Sequence, residues 1–288
     1  MKIFSRSVLV LIPVLLIMFA ACGGGEQSGE AREQSAGDQG TPALSGDLNL
    51  VGSTTVQPLA EVLAASFETL NPGVTVYVQG GGSSVGVRSA ADRSADIGMA
   101  SREVKLSELQ ENPELVVHTI ARDGIAVVSE PSCTVDNLTL DQVRGIFSGE
   151  ITNWSEVGGA DMAITVVARE EGSGTRAAFE ELVMHDALIA ESAILQPSNG
   201  AVRTTISVTP GSIGFLSFGY LDDETKPIAI DGELPTEENA ASGAYGVVRP
   251  LNMITYGEAE GIAKAFLDFV KSEDGQAIVA QEGYLPIN

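Results

Sequence analysis

Four short segments of the sequence combine hydroxyl side chains, glycines and a predicted helix start. They cover residues 52–55, 80–86, 95–102 and 169–176. The first turn of a helix has unpaired backbone N–H groups and a positive partial charge, and it therefore stabilises a bound anion. Serine and threonine hydroxyls can donate further hydrogen bonds to the same ligand. The shared pattern predicts capture of a small oxyanion.

The segment at 169–176 carries the most specific signal, because it adds a permanent positive charge. Arg169 offers a forked guanidinium that matches an oxyanion with two parallel hydrogen bonds. Ser173 and Thr175 bring hydroxyl groups, and Gly174 exposes its backbone amide. A role in helix capping alone is the alternative for these residues.

The other three segments are weaker signals when each is taken alone. Thr54 or Thr55 can donate a hydroxyl to the ligand, or can simply cap the following helix. Three consecutive glycines before Ser83 allow close approach to a ligand, but a flexible turn is equally consistent, and the Walker A ending Gly-Lys-Ser/Thr is missing. In the third segment, a predicted strand ends at Ser101 and Arg102. Side chains at this position can reach a crevice beyond the carboxyl end of the strand. The alternative is a loop in which the arginine is solvated. A chance occurrence of this pattern is much less plausible for all four segments together than for any one of them.

The composition limits the possible partners. The chain has 288 residues, of which 44% are hydrophobic and 19% charged, so a sizeable core in two globular units is expected. The formal net charge of −23 argues against nucleic acid or anionic lipid as a partner held by charge. Two cysteines and two histidines predict neither a disulfide scaffold nor a multi-histidine metal centre. A small anion is compatible with this charge, because a buried site responds to local dipoles.

The sequence does not predict an enzyme. A phosphatase would need a nucleophile with a neighbouring base, or a metal site. Ser173 is not part of a Gly-x-Ser-x-Gly elbow, and His118 and His185 lie in no recognisable motif. We therefore predict a binding protein without catalytic residues, metal or cofactor.

The first 45 residues predict export and anchoring. Lys2 and Arg6 precede an apolar run at 8–21 that is too short to span a bilayer, as in a secretory signal peptide over residues 1–21. The run ends at Cys22 in Phe-Ala-Ala-Cys, which resembles the lipobox of bacterial lipoproteins, whose cysteine is acylated; an ordinary signal peptide is the alternative. Residues 22–45 are rich in Gly, Gln, Ser and Glu and predict a flexible tether.

From residue 48 onwards, short apolar strands alternate with amphipathic helices, which predicts an α/β fold. Predicted strands cover residues 48–51, 74–78, 96–99, 125–128 and 164–167, and predicted helices cover residues 59–70, 85–92, 140–147 and 177–184. Thr139 is the expected N-cap of the third of these helices, and Gly149 lies just past its end.

Together these segments resemble the phosphate-binding proteins of bacterial high-affinity phosphate ABC transporters. The resemblance runs from about residue 48 to the end of the chain. It includes Ile-Phe-Ser-Gly-Glu-Ile-Thr-Asn-Trp at 146–154, Thr-Pro-Gly-Ser-Ile-Gly-Phe at 209–215 and Arg-Pro-Leu-Asn at 249–252. The Arg-x-x-x-Ser-Gly-Thr arrangement that begins at Arg169 is its most specific element.

The resemblance implies a type II periplasmic-binding-protein fold, in which two α/β lobes are joined by two crossing strands and the anion is buried in the cleft. Residues 46–125 plus 248–288 would then form lobe I, and residues 126–247 would form lobe II. The implied function is extracytoplasmic capture of inorganic phosphate for ABC permease subunits. A binding protein for sulfate or molybdate and a phosphate sensor not coupled to transport are the alternatives. We expect a monomer held at the membrane through its lipid anchor only.

Carried over motif by motif, the resemblance assigns phosphate contacts to both lobes. The implied ligands are Thr54, Thr55 and Ser83 from lobe I, Arg169, Ser173, Gly174 and Thr175 from lobe II, and Ser101 and Arg102 from a further ligand-side segment. Some members have an Asp directly after the Ser of that last segment, where it accepts the proton of bound phosphate. Arg102 occupies this position here, so Asp96 is our first choice of acceptor, with Glu103 and Glu170 as alternatives. With such an acceptor, sulfate should bind at least roughly a hundredfold more weakly than phosphate, where each tenfold change in Kd corresponds to about 1.4 kcal/mol.

Overall fold

The computed structural model describes residues 44–287, so the predicted signal peptide, Cys22 and nearly all of the predicted tether lie outside the described residues. The strands are β1 (Ser45–Gly52), β2 (Gly73–Gly80), β3 (Ile97–Ala100), β4 (Leu115–Ser129), β5 (Asn137–Leu138), β6 (Thr165–Arg169), β7 (Ile194–Gln196), β8 (Ser212–Ser217), β9 (Lys226–Pro227), β10 (Ala229–Ile230) and β11 (Val248–Tyr256). The α-helices are α1 (Val56–Leu70), α2 (Ser83–Ala91), α3 (Leu106–Glu111), α4 (Leu140–Ser148), α5 (Gly174–Phe179), α6 (Asn199–Val208), α7 (Glu237–Ser242), α8 (Gly261–Lys271) and α9 (Glu273–Gln281). None of the helices in this part of the chain has both the length and the apolar character needed to cross a membrane.

A mixed sheet of nine strands organises the fold. Its order is β2-β1-β3-β11-β4-β8-β6-β7, with β9 beside β4. The strands β1, β2 and β3 are parallel to one another, and β6 is parallel to β7 and β8. The long strand β4 pairs with β11 over its first two thirds and with β8 over its last five residues. It therefore connects the two halves of the sheet.

Each half of the sheet has one large hydrophobic cluster. The first is built from residues 48–121 and 251–284, and Phe67 packs edge-on against Phe266 within it. The second is built mainly from residues 125–247, with Phe179 stacked on Phe215 at 4.1 Å between ring centroids. We call the parts of the chain around these two clusters lobe I and lobe II.

The α/β prediction is confirmed, because strands and helices alternate along most of the described chain. The lobe boundaries predicted at 46–125 plus 248–288 and at 126–247 stay a prediction.

Two helix predictions had different outcomes. The hydroxyl of Thr139 accepts a hydrogen bond from a backbone N–H of α4, and Gly149 ends that helix in the left-handed conformation, as predicted. The prediction of a helix over 177–184 was wrong at its start. Ser173 is a good N-cap residue, and α5 therefore begins directly after it and continues as a π-helical segment over Glu180–Met184.

Candidate functional site

Four strand ends of the sheet converge where the lobes meet. Ser53 follows β1, Ser101 follows β3 and Arg169 ends β6, while the loop after β2 leads into Ser83 at the start of α2. The carboxyl ends of β1, β2 and β3 lie at one edge of the sheet because these strands are parallel. The fold thus brings together the four segments that the sequence analysis identified as candidate anion-binding turns.

Three serine hydroxyls of lobe I form a buried hydrogen-bonded group. Ser53 Oγ donates to Ser101 Oγ at 2.9 Å, and Ser83 Oγ lies 3.4 Å from Ser101 Oγ. The backbone N–H of Ser101 donates to Ser83 Oγ at 3.0 Å. All three side chains are almost completely excluded from solvent. Ser83 and Ser101 were predicted for this site, whereas Ser53 was not.

Lobe II reaches this group through the first turn of α5. Thr175 Oγ1 lies 3.1 Å from Thr55 Oγ1 of lobe I. Gly174 is packed so closely that a methyl group at its Cα would overlap both Ser83 Oγ and Ser101 Oγ. Glycine is therefore required here for the two lobes to approach each other.

Two further predicted residues border the group. Thr54 Oγ1 accepts a hydrogen bond from Arg169 Nη2 at 3.1 Å. Ser173 is buried, and its hydroxyl oxygen accepts the backbone N–H of Arg176 as the N-cap of α5. Its own hydroxyl hydrogen is not used by that bond.

Arg169 supplies a buried positive charge to the site. The residue is 2% exposed, and its three hydrogen bonds go to uncharged oxygens: Thr54 Oγ1, the Pro197 carbonyl at 2.8 Å and the Gln196 carbonyl at 3.2 Å. Its Nη1 is buried without a hydrogen-bond partner. Burial, reinforced by the positive charge of Arg249, lowers the pKa of Arg169 to about 10, so the side chain remains charged at neutral pH.

A second buried guanidinium lies next to it, and sequence reasoning missed its role. Arg249 on β11 faces Asp123 on β4 in the strand register, and the pair is bonded at 2.8 and 3.1 Å. Arg249 also donates to the Ser101 carbonyl at 3.0 Å and to Thr55 Oγ1 at 3.3 Å. Burial raises the pKa of the Asp123 carboxyl, against the opposing charge and hydrogen bonds of Arg249. A charged residue inside an apolar strand pattern was the signal that could have identified either partner.

Asn199, the first residue of α6, was also missed by sequence reasoning. It is completely buried, and its Nδ2 donates to Thr55 Oγ1 at 2.8 Å. Its Oδ1 has no hydrogen-bond partner. The local sequence Ser-Asn-Gly is typical of an ordinary helix start. Nothing in the neighbouring residues therefore marks Asn199 as part of a site.

The structure does not place Arg102 in this group. Its guanidinium makes a two-pronged ion pair with Glu108, at 2.7 and 2.8 Å, and a weaker bond to Ser84 Oγ. It lines a neighbouring cavity of about 250 Å³ that also contacts Ser173 and Arg176. The prediction of a direct anion contact is therefore corrected: a carboxylate six residues further along the chain engages this arginine instead.

Asp96 is also outside the group. It precedes β3, at the opposite end of the strand from Ser101, and it accepts the backbone N–H of Asn49 at 2.8 Å. Five residues of extended chain span about 16 Å, so an exposed carboxylate at Asp96 cannot reach the hydroxyls. The structure therefore does not place Asp96, the first-choice acceptor, against the hydroxyls, and the alternatives Glu103 and Glu170 are exposed as well.

Comparison with known proteins places this geometry in a family. Residues 31–274 match the model of the PBP superfamily domain. The phosphate-binding protein PstS of Bacillus subtilis is 37% identical over 289 residues, covering 100% of this chain and 95% of that protein. The chain belongs to the PstS family. A second PstS, from Borreliella burgdorferi, is 29% identical over 83% of this chain and 90% of its own length.

Solved structures similar to this PstS-family chain include two of high coverage. One is a putative phosphate ABC transporter substrate-binding protein from Clostridium perfringens with bound phosphate. It has a TM-score of 0.81 and 37% identity and covers 84% of this chain and 100% of its own. An ABC-type phosphate transport receptor from Vibrio cholerae has a TM-score of 0.71 and 36% identity, covering 83% and 99%. The predicted periplasmic-binding-protein fold is confirmed.

Proposed function

We propose that this chain captures inorganic phosphate between its two lobes and delivers it to the permease subunits of an ABC transporter. The observation that carries the proposal is the buried guanidinium of Arg169, whose Nη1 has no partner and whose other contacts are all uncharged. A buried charge without a counter-ion is strongly unfavourable. A bound oxyanion would supply that counter-ion and the missing acceptor.

The charges and dipoles around Arg169 support an anion rather than a neutral ligand. Arg169 and Arg249 bring two positive charges, and Asp123 bonds only to Arg249 and neutral groups. The N-termini of α1 and α2 border the same hydroxyls and add positive partial charge. This arrangement gives a net positive site inside a chain whose formal net charge is −23.

The proposed phosphate ligands come from both lobes, so binding would hold the lobes together. They are Thr54, Thr55, Ser83 and Ser101 from lobe I, and Arg169, Ser173, Gly174 and Thr175 from lobe II. None of these serine and threonine hydroxyls is paired with a histidine that could act as its base, which favours binding without catalysis.

The rest of the proposal concerns location and partners. The chain acts outside the cytoplasm as a monomer, and an acylated Cys22 joins it to the membrane. Its relatives named as phosphate-binding proteins and phosphate transport receptors support a role in transport rather than in sensing.

Calorimetry of the purified full chain with phosphate, arsenate and sulfate tests the ligand. Phosphate and arsenate should bind with similar affinity, because both are protonated tetrahedral anions at neutral pH. Sulfate should bind at least roughly a hundredfold more weakly, which is about 2.8 kcal/mol. Sulfate binding as tight as phosphate binding, or an absence of phosphate binding, would overturn the proposal.

A further inference from the structure

Two buried atoms at the site lack partners, and they are of opposite kinds. Arg169 Nη1 is a hydrogen-bond donor, and Asn199 Oδ1 is an acceptor. Both side chains hold the same turn of lobe I, since Arg169 donates to Thr54 Oγ1 and Asn199 donates to Thr55 Oγ1. Buried polar groups are rarely left unpaired, because an unpaired group loses its hydrogen bonds to water and gains none in return. The pair calls for a ligand that both accepts and donates a hydrogen bond.

Hydrogen phosphate has both properties. Its unprotonated oxygens accept hydrogen bonds, and its P–O–H group donates one. Sulfate at neutral pH has four acceptor oxygens and no proton to donate. An acceptor such as Asn199 Oδ1 would therefore gain a bond from phosphate and face only lone-pair repulsion from sulfate.

Two other strong acceptors close to the site, on Thr55 and Asp123, are already engaged. Thr55 Oγ1 accepts hydrogen bonds from Asn199 and Arg249, so its hydroxyl hydrogen is left to donate. Both oxygens of Asp123 are saturated: Oδ1 accepts from Ser217 Oγ and the Phe218 N–H, and Oδ2 accepts twice from Arg249. Asn199 Oδ1, in contrast, is a buried acceptor at the site that has no hydrogen-bond partner among the described residues.

We propose that Asn199 selects phosphate over sulfate in this chain, by accepting the P–O–H hydrogen bond of the bound anion at its Oδ1. An amide carbonyl here does the task for which the sequence suggested a carboxylate. The inference rests on the proposed phosphate-binding function and assigns the specificity of the same site.

The test measures the ratio of the sulfate Kd to the phosphate Kd in variants of the full chain, by calorimetry with competition for the weaker anion. Asn199→Ala removes the acceptor and should lower this ratio at least tenfold, or about 1.4 kcal/mol. Asn199→Asp keeps an acceptor and adds repulsion of sulfate, so the ratio should be preserved or raised. The ratio of the arsenate Kd to the phosphate Kd should stay constant in both variants, because arsenate also carries a proton.

Asn252→Ala is the matched control. Asn252 is buried as well, but both ends of its amide are paired, with the Arg102 carbonyl and with Thr119 Oγ1. This variant should leave the sulfate-to-phosphate ratio unchanged.

The ratio of the two Kd values distinguishes a role of Asn199 in anion specificity from a purely structural role. If Asn199→Ala weakens both anions equally, the residue only holds Thr55 and the inference is overturned. A lowered ratio in Asn199→Asp overturns it too, and this second variant decides the question if Asn199→Ala does not fold. Absence of phosphate binding by the unmodified chain is a different result and refutes the proposed function itself.

Discussion

The phenol hydroxyl of Tyr220 donates a hydrogen bond of 2.8 Å to the backbone carbonyl of Thr54. Tyr220 packs against the hydrophobic cluster of lobe II, whereas Thr54 lies in the turn between β1 and α1 of lobe I. Burial raises the pKa of Tyr220, against the opposing charge of Arg169, and keeps the phenol a donor at neutral pH. The bond joins the lobes without using a side chain proposed to touch the anion.

Removing this bond should therefore weaken phosphate binding indirectly. Tyr220→Phe loses one neutral hydrogen bond, worth about 0.5–1.5 kcal/mol, so the phosphate Kd should rise roughly two- to tenfold, mainly through faster release. Stopped-flow release and calorimetry measure both effects. Tyr245→Phe is the control, because the hydroxyl of Tyr245 bonds to the Ile125 carbonyl inside lobe II. Equal changes of Kd in the two variants would refute a closing role for Tyr220.

Arg169 should contribute more to phosphate affinity than any other arginine near the start of α5. A hydrogen bond to a charged group is worth roughly 1.5–3 kcal/mol, so Arg169→Ala should raise the phosphate Kd by at least tenfold. Arg176 is bonded to Glu180 at 2.7 Å on the partly exposed face, and Arg176→Ala should have a smaller effect. Calorimetry of the two variants compares them directly. Similar losses, or an unaffected Arg169→Ala, would remove Arg169 from the site.

The close approach of the lobes at Gly174 predicts a steric effect. In Gly174→Ala the added methyl group would overlap Ser83 Oγ and Ser101 Oγ, and overpacking of this kind costs roughly 1–3 kcal/mol. The phosphate Kd should rise about tenfold, because the lobes could no longer approach as closely at this position, and calorimetry measures the change. Gly246→Ala serves as control because a methyl group there meets open space. Normal affinity of Gly174→Ala would show that closure does not depend on this contact.

Asp96 should be dispensable for specificity. Its carboxylate is exposed and bonded to Asn49, at the end of β3 away from the hydroxyls. Asp96→Asn should therefore keep both the phosphate affinity and the preference over sulfate within about twofold. A loss of that preference in calorimetric titrations would restore Asp96 as the acceptor.

The lipid anchor is tested in the native host. If Cys22 is acylated, the full chain should partition with membranes and yield a lipid-modified N-terminal peptide in mass spectrometry. Cys22→Ser should block processing or release the chain. An unmodified N-terminus beyond Cys22 would contradict the anchor.

Local patterns in the sequence were sufficient for the fold class and for most of the hydroxyl groups that the structure brings together. The strand-to-helix turns at Thr55, Ser83 and Thr175 are recognisable because hydroxyls, glycines and helix starts depend on neighbours within a few residues. The alternation of strands and helices depends on the same short range. Arg169 belongs to this group, since its motif is contiguous.

The charge balance of the site, and the position of the residue to which we assign its specificity, were decided by tertiary structure alone. Asp123 and Arg249 are 126 residues apart and meet only because β4 and β11 lie side by side. Asn199 reaches Thr55 across 144 residues, because the packing of α6 on lobe II brings the start of this helix to lobe I, and its Oδ1 is buried there without a partner. The same limit explains why Arg102 and Asp96, which were predicted for the site, lie outside the group of hydroxyls. Proximity in sequence does not determine which way a side chain leaves the end of a strand, whereas the packing of whole elements does.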